Sequence, residues 1–204
     1  MNIYISSNFK KHFNTHIDFL DHNWINFFNK KNYYFKAIPT QIKSTNKILN
    51  KKKKVDLIIL PGGNDLFNNQ KLTKIRFDVE KKLIKFSINK KIPLLGVCRG
   101  MQVLNYYFGG TIVKIKGHMK SKSLIYMKHN LFKKNKISVK CFHNFCISPH
   151  SVSKEFENLG VDKKNNIEMF QHLKHNIVGV MWHPERENNF DKLNVIINKL
   201  TRKR

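Results

Sequence analysis

Long apolar runs and paired cysteines are both missing from this chain of 204 residues. No stretch approaches the roughly 20 apolar residues that a membrane-spanning helix needs, and the N-terminus lacks the apolar core of a signal peptide. The three cysteines are too few and too irregularly spaced for a disulfide framework or a cysteine-rich zinc site. We therefore expect one soluble domain over residues 1–204, located in the reducing cytoplasm and not at a membrane.

Acidic residues are scarce as well, with 13 against 39 lysines and arginines and a formal net charge of +26. Such an excess is typical of proteins that bind nucleic acid. Here the lysines are scattered over nearly every predicted connection, which favours a compositional bias of the source genome over a nucleic-acid interface. A milder consequence stays open, namely that the positive field attracts an anionic small substrate.

Strand and helix patterns alternate along the first half of the chain. The opening "MNIYISS" predicts a strand, and "HIDFLDHNWINFFNKKNYYF" predicts a helix after it. One face of that helix would carry Ile17, Leu20, Trp24, Phe27 and Phe28. The apolar runs "VDLIIL" and "IPLLGV" predict buried strands with a helix between them. This alternation predicts a doubly wound, mostly parallel α/β sheet whose ligands lie beyond the carboxyl ends of the strands.

The second half of the chain has a different pattern. From Thr111 to about Ser148, short alternating segments predict antiparallel hairpins. Two further strands are predicted in "NIEMFQHLKHNIVGVMWHPE", and a closing amphipathic helix in "FDKLNVIINKLTRKR". We therefore expect an antiparallel insertion before the last strands of the main sheet.

A sharp turn from strand to helix is indicated at "GVCRG", where Gly96 and Gly100 flank Cys98. The thiol would then stand at a helix N-terminus, where the helix dipole favours the reactive thiolate. A lone cysteine is more often a small buried hydrophobic residue, but the two flanking glycines, here called the glycine frame, favour a nucleophile.

Candidate partners for the thiol lie at the ends of two other predicted strands. His183 ends the apolar run "VGVMW", and Glu185, two residues on, can orient one nitrogen of the imidazole while the other faces the thiol. Gly63, after "VDLIIL", and the amide of Arg99 can supply backbone N–H donors to a negatively charged oxygen.

The motifs "LPGGND", "GVCRGMQ" and "MWHPE", in this order and at these separations, resemble the class I glutamine amidotransferases, and within them the stand-alone γ-glutamyl hydrolases. The resemblance implies the flavodoxin-like fold of that family with a short antiparallel insertion. It implies that Cys98 is the nucleophile, His183 the general base and acid, and Glu185 the orienting carboxylate. Gly63 and Arg99 become the oxyanion donors. No metal and no organic cofactor is implied.

The same resemblance suggests residues on the substrate side of the site. Four of them are predicted to contact substrate: Gly62, Asn64, Gln102 and His143. Arg76 and Glu80 match a charged helix of the γ-glutamyl hydrolases. That family usually has Asp directly after the arginine, whereas this chain has Phe77 there and Asp78 one place later, so no role is carried over for the acid.

Among γ-glutamyl hydrolases, the sequence most resembles those that cut γ-glutamyl-CDP-amidate to glutamate and cytidine diphosphoramidate in capsular phosphoramidate synthesis. We therefore expect a small γ-glutamyl substrate, and we leave open whether it is linked to a nucleotide and whether the protein is a homodimer. Three alternatives remain: a γ-glutamyl-γ-aminobutyrate hydrolase of polyamine breakdown, a glutaminase subunit that supplies ammonia to a partner synthetase, and a non-catalytic nucleic-acid-binding protein.

Overall fold

The computed structural model describes residues 1–63, 66, 70–115, 119–129 and 131–202. Its helices are α1 (His22–Lys30), α2 (Ile42–Leu49), α3 (Gln70–Lys90), α4 (Arg99–Tyr107) and α5 (Asp191–Thr201). The strands of its first half are β1 (Asn2–Ser6), β2 (Asn8–His12), β3 (Thr15–Phe19), β4 (Tyr34–Ile38), β5 (Leu57–Leu60) and β6 (Leu94–Val97). The strands that follow are β7 (Val113–Lys114), β8 (Met119–Met127), β9 (Lys136–Phe142), β10 (Phe145–Cys146), β11 (Phe156–Val161), β12 (Ile167–His172) and β13 (Ile177–Val180). In the part of the chain described, no helix combines the length and the apolar character needed to cross a membrane.

The main sheet has nine strands in the order β4-β1-β5-β6-β13-β12-β11-β8-β9. The first five are mutually parallel, and this part is called the parallel half. Its central strands β5, β6 and β13 are buried on both faces because helices cover both. Leu57 and Ile59, for example, face a core shared with α1 and α5, while Ile58 and Leu60 face one shared with α3 and α4. The predicted doubly wound α/β sheet is thereby confirmed.

The remaining four strands, β12, β11, β8 and β9, run antiparallel to their neighbours and are called the antiparallel half. The hairpins predicted for the middle of the chain do not form a separate layer, because β8 and β9 extend the same sheet and β9 ends it. A small pair of strands, β7 and β10, lies beside it.

One predicted helix begins later in the structure than the sequence pattern indicates. Residues 8–19 form an antiparallel hairpin of β2 and β3, so Ile17 and Leu20 lie outside α1. The Asp21 side chain accepts a hydrogen bond from the Asn23 backbone N–H at 3.0 Å, which caps the helix and fixes its start. The other residues predicted for the apolar face, Trp24, Phe27 and Phe28, are in α1 and buried.

Three neighbouring parallel strands direct their carboxyl ends to the same edge of the sheet. β5 leads into Pro61, β6 leads into Cys98, and β13 leads through residues 181 and 182 to His183. Because these strands are adjacent and parallel, residues far apart in the chain meet beyond this edge. Gly62, Cys98 and His183, three of the predicted site residues, lie at this edge.

Candidate active site

Cys98 stands on a strained turn between β6 and α4. Its backbone has φ of 50° and ψ of −106°, an uncommon conformation for a residue with a side chain. The Cys98 N–H donates to the Val180 carbonyl at 2.7 Å, which fixes the turn to the strand that carries His183. An added Cβ at Gly96 would lie 2.6 Å from Leu104 Cδ1, and one at Gly100 would collide with the Leu60 carbonyl. The glycine frame therefore serves close packing around the turn.

His183 and Glu185 form a buried pair directly after β13. A short 3₁₀ turn over Pro184–Arg186 brings the carboxylate back, and His183 Nδ1 lies 2.6 Å from Glu185 Oε1. The imidazole also lies close enough to the Cys98 side chain for the two groups to interact electrostatically. Burial lowers the pKa of His183, but the negative charges of Cys98 and Glu185 outweigh it and raise that pKa to about 10. This arrangement favours the imidazolium form of His183.

The loop after β5 packs tightly against the imidazole. An added Cβ at Gly62 would collide with the His183 ring, so only glycine fits there. Gly63 has φ of +140°, a conformation that favours glycine, and lies against the Arg76 guanidinium. The Arg99 N–H is in the first turn of α4 and therefore has no acceptor within the helix. Asn64, predicted for this loop, lies outside the described residues.

A buried ion network connects this loop to the turn at Cys98. Arg99 Nη1 lies 2.5 and 2.6 Å from the two Glu80 carboxylate oxygens, and Arg76 Nε lies 2.9 Å from Glu80 Oε1. Arg76 also donates to Asn8 Oδ1 at 2.5 Å and to the Pro61 carbonyl at 2.8 Å. Burial and the charge of Arg99 lower the pKa of Arg76 to about 9, with Glu80 opposing them. Two cations and one anion thus hold the loop, α3 and α4 together.

Gln102 and His143 meet at one backbone carbonyl. Gln102 Nε2 donates to the Phe145 carbonyl at 3.4 Å, and His143 Nδ1 donates to it at 2.9 Å. The structure brings these two predicted residues together, both nearly buried, close to Met181 below the strand end that leads to His183. Their contact with substrate stays a prediction.

Glu168 is a neighbour of this site that the sequence analysis missed. Its Oε1 lies 3.7 Å from His143 Nε2, and the side chain is fully buried in β12. Ligand atoms of Cys141, His143 and Glu168 lie within 4.8 Å of one another, close enough to hold a metal ion. Burial raises the pKa of Cys141 to about 12 and that of Glu168 well above its usual value, so a metal would have to displace protons from both. A lone glutamate inside the apolar run "NIEMF" was the available signal.

The sequence also matches known proteins. The family model for glutamine amidotransferase class I matches residues 15–202. The γ-glutamyl-CDP-amidate hydrolase of Campylobacter jejuni is 37% identical over 145 residues, covering 70% of this chain and 68% of that protein. A glutamine-hydrolysing GMP synthase of Ehrlichia ruminantium is 28% identical over 159 residues, covering 72% of this chain but only 29% of the synthase. The chain belongs to the class I glutamine amidotransferase family.

Solved structures show the same fold. A GMP synthase component of Thermoplasma acidophilum superposes with a TM-score of 0.75 at 20% identity, covering 98% of this chain and 94% of that one. A glutamine amidotransferase of Thermotoga maritima superposes with a TM-score of 0.67 at 18% identity, covering 97% and 82%. Members of the family hydrolyse carbon–nitrogen bonds, and this chain is an enzyme of that class.

Proposed function

We propose that this protein is a cysteine-dependent γ-glutamyl hydrolase that converts γ-glutamyl-CDP-amidate to glutamate and cytidine diphosphoramidate. The observation that carries the reaction type is the strained turn that sets Cys98 beside His183, whose Nδ1 is hydrogen-bonded to Glu185. The substrate is supported by the similarity to the Campylobacter jejuni enzyme. A role in capsular phosphoramidate synthesis, in the cytoplasm, belongs to the same proposal.

In the first step the Cys98 thiolate attacks the γ-carbonyl carbon of the substrate. A sulfur–carbon bond forms and the carbonyl oxygen becomes an oxyanion, which the backbone N–H groups of Gly63 and Arg99 stabilise. His183 then donates its proton to the departing nitrogen as the carbon–nitrogen bond breaks. The products of this step are the amidate and a glutamyl thioester on Cys98.

In the second step water replaces the amidate. Neutral His183 takes a proton from the water as the oxygen attacks the thioester carbon, and the carbon–sulfur bond then breaks. Glutamate leaves, and the thiolate and imidazolium are restored. Glu185 keeps the imidazole in one orientation throughout, because its carboxylate accepts the Nδ1–H.

On the substrate side we assign the γ-glutamyl part to Gln102 and His143, together with the loop that contains Gly62 and Asn64. The first two share the Phe145 carbonyl, so their positions are coupled.

A substrate panel tests the proposal. Purified enzyme is given γ-glutamyl-CDP-amidate, γ-glutamyl-γ-aminobutyrate or free glutamine, and glutamate release is measured with Cys98→Ala as the blank. We expect the nucleotide substrate to be preferred. Preference for γ-glutamyl-γ-aminobutyrate would indicate a hydrolase of polyamine breakdown. Glutamate release from glutamine only after addition of a partner synthetase would indicate a glutaminase subunit. No Cys98-dependent release from any of them would overturn the proposal.

A further inference from the structure

A pocket of about 380 Å³ opens beside His183, between the β8–β9 hairpin and the segment that follows β13. Its size is that of a small-molecule site. Besides His183, the charged residues of its wall are four cations, Lys122, Lys140, Arg186 and Lys192, and one anion, Glu187. We call it the lysine pocket. Two other pockets, of about 310 and 850 Å³, are lined by none of the proposed catalytic residues.

The cations of the lysine pocket differ in whether a carboxylate neutralises them. Lys192 Nζ lies 2.8 Å from Glu187 Oε1, and Arg186 Nη2 lies 3.1 Å from Asp21 Oδ2. By contrast, the described residues provide no ion pair for Lys122 or Lys140. These two lysines are directly opposite each other in the β8–β9 register, an arrangement in which like charges repel. An anion between them would relieve that repulsion.

The lysine pair is connected to His183 along one face of β9. Lys140 and Phe142 lie on the same face because side chains alternate along a strand, and they are about 7 Å apart along it. The Phe142 ring packs edge-on against the His183 ring, with centroids 5.9 Å apart, and the Arg186 guanidinium lies 5.3 Å from the Phe142 centroid. A continuous surface therefore leads from the imidazole to the lysines.

We propose that the lysine pocket binds the phosphoryl groups of an anionic leaving group, of the nucleoside diphosphate type. This inference rests on the proposed function, because it needs a γ-glutamyl nitrogen that His183 protonates. That nitrogen must come within hydrogen-bonding distance of His183, so whatever it carries must lie in a space that His183 lines. Adjacent phosphoryl groups match the unbalanced pair Lys122 and Lys140, with Arg186 lining the same pocket.

A second explanation of the lysine pair makes a different prediction. Lys140 lies on β9, the last strand of the sheet, and Lys122 on the strand beside it, and lysines at such edges hinder pairing with other chains. If that were their whole purpose, removing them would promote aggregation without changing recognition of substrate. The general positive charge of the protein must also be controlled for, because it attracts any anion.

The test compares two double variants of equal charge change. Lys122→Gln/Lys140→Gln removes the unbalanced pair, whereas Lys51→Gln/Lys52→Gln removes two exposed lysines before β5, at the opposite edge of the parallel strands. For γ-glutamyl-CDP-amidate, we expect the first variant to raise KM about tenfold or more, as for loss of a charge-assisted hydrogen bond, and to leave kcat nearly unchanged. With γ-glutamyl-p-nitroanilide, whose leaving group is neutral, neither variant should change KM. Equal changes in both variants, or on both substrates, would overturn the inference.

A binding measurement separates this inference from the proposed function. Inorganic pyrophosphate is titrated calorimetrically into the unmodified protein and both variants, with no turnover required. We expect binding to weaken about tenfold in Lys122→Gln/Lys140→Gln alone. If this holds while no γ-glutamyl substrate is cleaved, the proposed function fails and the anion site stands. If substrates are cleaved and all three proteins bind pyrophosphate equally, the inference fails and the proposed function stands.

Discussion

The two halves of the main sheet contribute to the site in different ways. In the parallel half, β5, β6 and β13 end at the same edge, so the loop at Gly62, the thiol of Cys98 and the imidazole of His183 converge there. In the antiparallel half, neighbouring strands end at opposite edges, and strand faces contribute instead, as with Lys122 and Lys140. Parallel topology concentrates the reacting groups, whereas the antiparallel extension supplies one wall of the pocket beside His183.

Removing the nucleophile gives the largest expected effect, and it lies in the parallel half. Cys98→Ala should lower kcat for every γ-glutamyl substrate by about 10⁴-fold or more, because no thioester can form. Glutamate release measures this, with Cys146→Ala as the control that keeps activity. Substantial hydrolysis by Cys98→Ala would show that another residue carries the reaction.

Removing the charge of Glu185 should change both the rate and its pH dependence. The carboxylate helps to raise the pKa of His183 to about 10, so Glu185→Gln lowers that pKa. Because His183 must be protonated to release the leaving group, the rate falls as pH rises through this pKa, and the alkaline limb of kcat/KM moves to lower pH in the variant. We expect kcat to fall about 10³-fold as well. Glu187→Gln should leave the alkaline limb in place; a limb unchanged in both variants would contradict the assigned pairing.

Adding one methyl group should distinguish the two halves sterically. Gly62→Ala forces the loop or the His183 ring to move, and a displacement of about 1 Å should lower kcat about 10²-fold. Gly160→Ala is the matched change in β11 of the antiparallel half, where the new Cβ would meet the flexible Met127 side chain at 2.9 Å. Rate assays and thermal unfolding of both variants separate displacement from misfolding. A similar loss of kcat in the two variants would contradict the expected steric difference between the parallel and antiparallel halves.

The smallest expected effect concerns the reactivity of the three cysteines. Burial raises the pKa of Cys141 to about 12 and that of Cys146 to about 11, so neither forms much thiolate near neutral pH. Iodoacetamide should therefore label Cys98 first, as read by peptide mass spectrometry, and Cys146→Ser should change kcat less than about twofold. Faster labelling of Cys141 or Cys146 than of Cys98 would contradict this order.

The sequence predicted the parallel half better than the antiparallel half, for a physical reason. Cys98 and His183 are each preceded by a continuous apolar run, and alternation with helices makes such strands parallel neighbours with a common edge. The antiparallel half depends on register between distant segments, which no local pattern specifies. The burial of Glu168 beside His143 and the pairing of Lys122 with Lys140 were therefore missed. The hairpin over residues 8–19, which lies outside the main sheet, was missed because Ile17 and Leu20 continue the helical spacing of α1.

The most direct measurement looks for the covalent intermediate on the nucleophile. The enzyme is mixed with γ-glutamyl-CDP-amidate, quenched in acid during turnover, digested and examined by mass spectrometry. We expect a glutamyl group on the peptide that contains Cys98, and none in Cys98→Ala or in enzyme exposed to glutamate alone. Undiminished turnover by Cys98→Ala, or a glutamyl group attached to a different residue, would contradict a thiol nucleophile at the carboxyl edge of the parallel half.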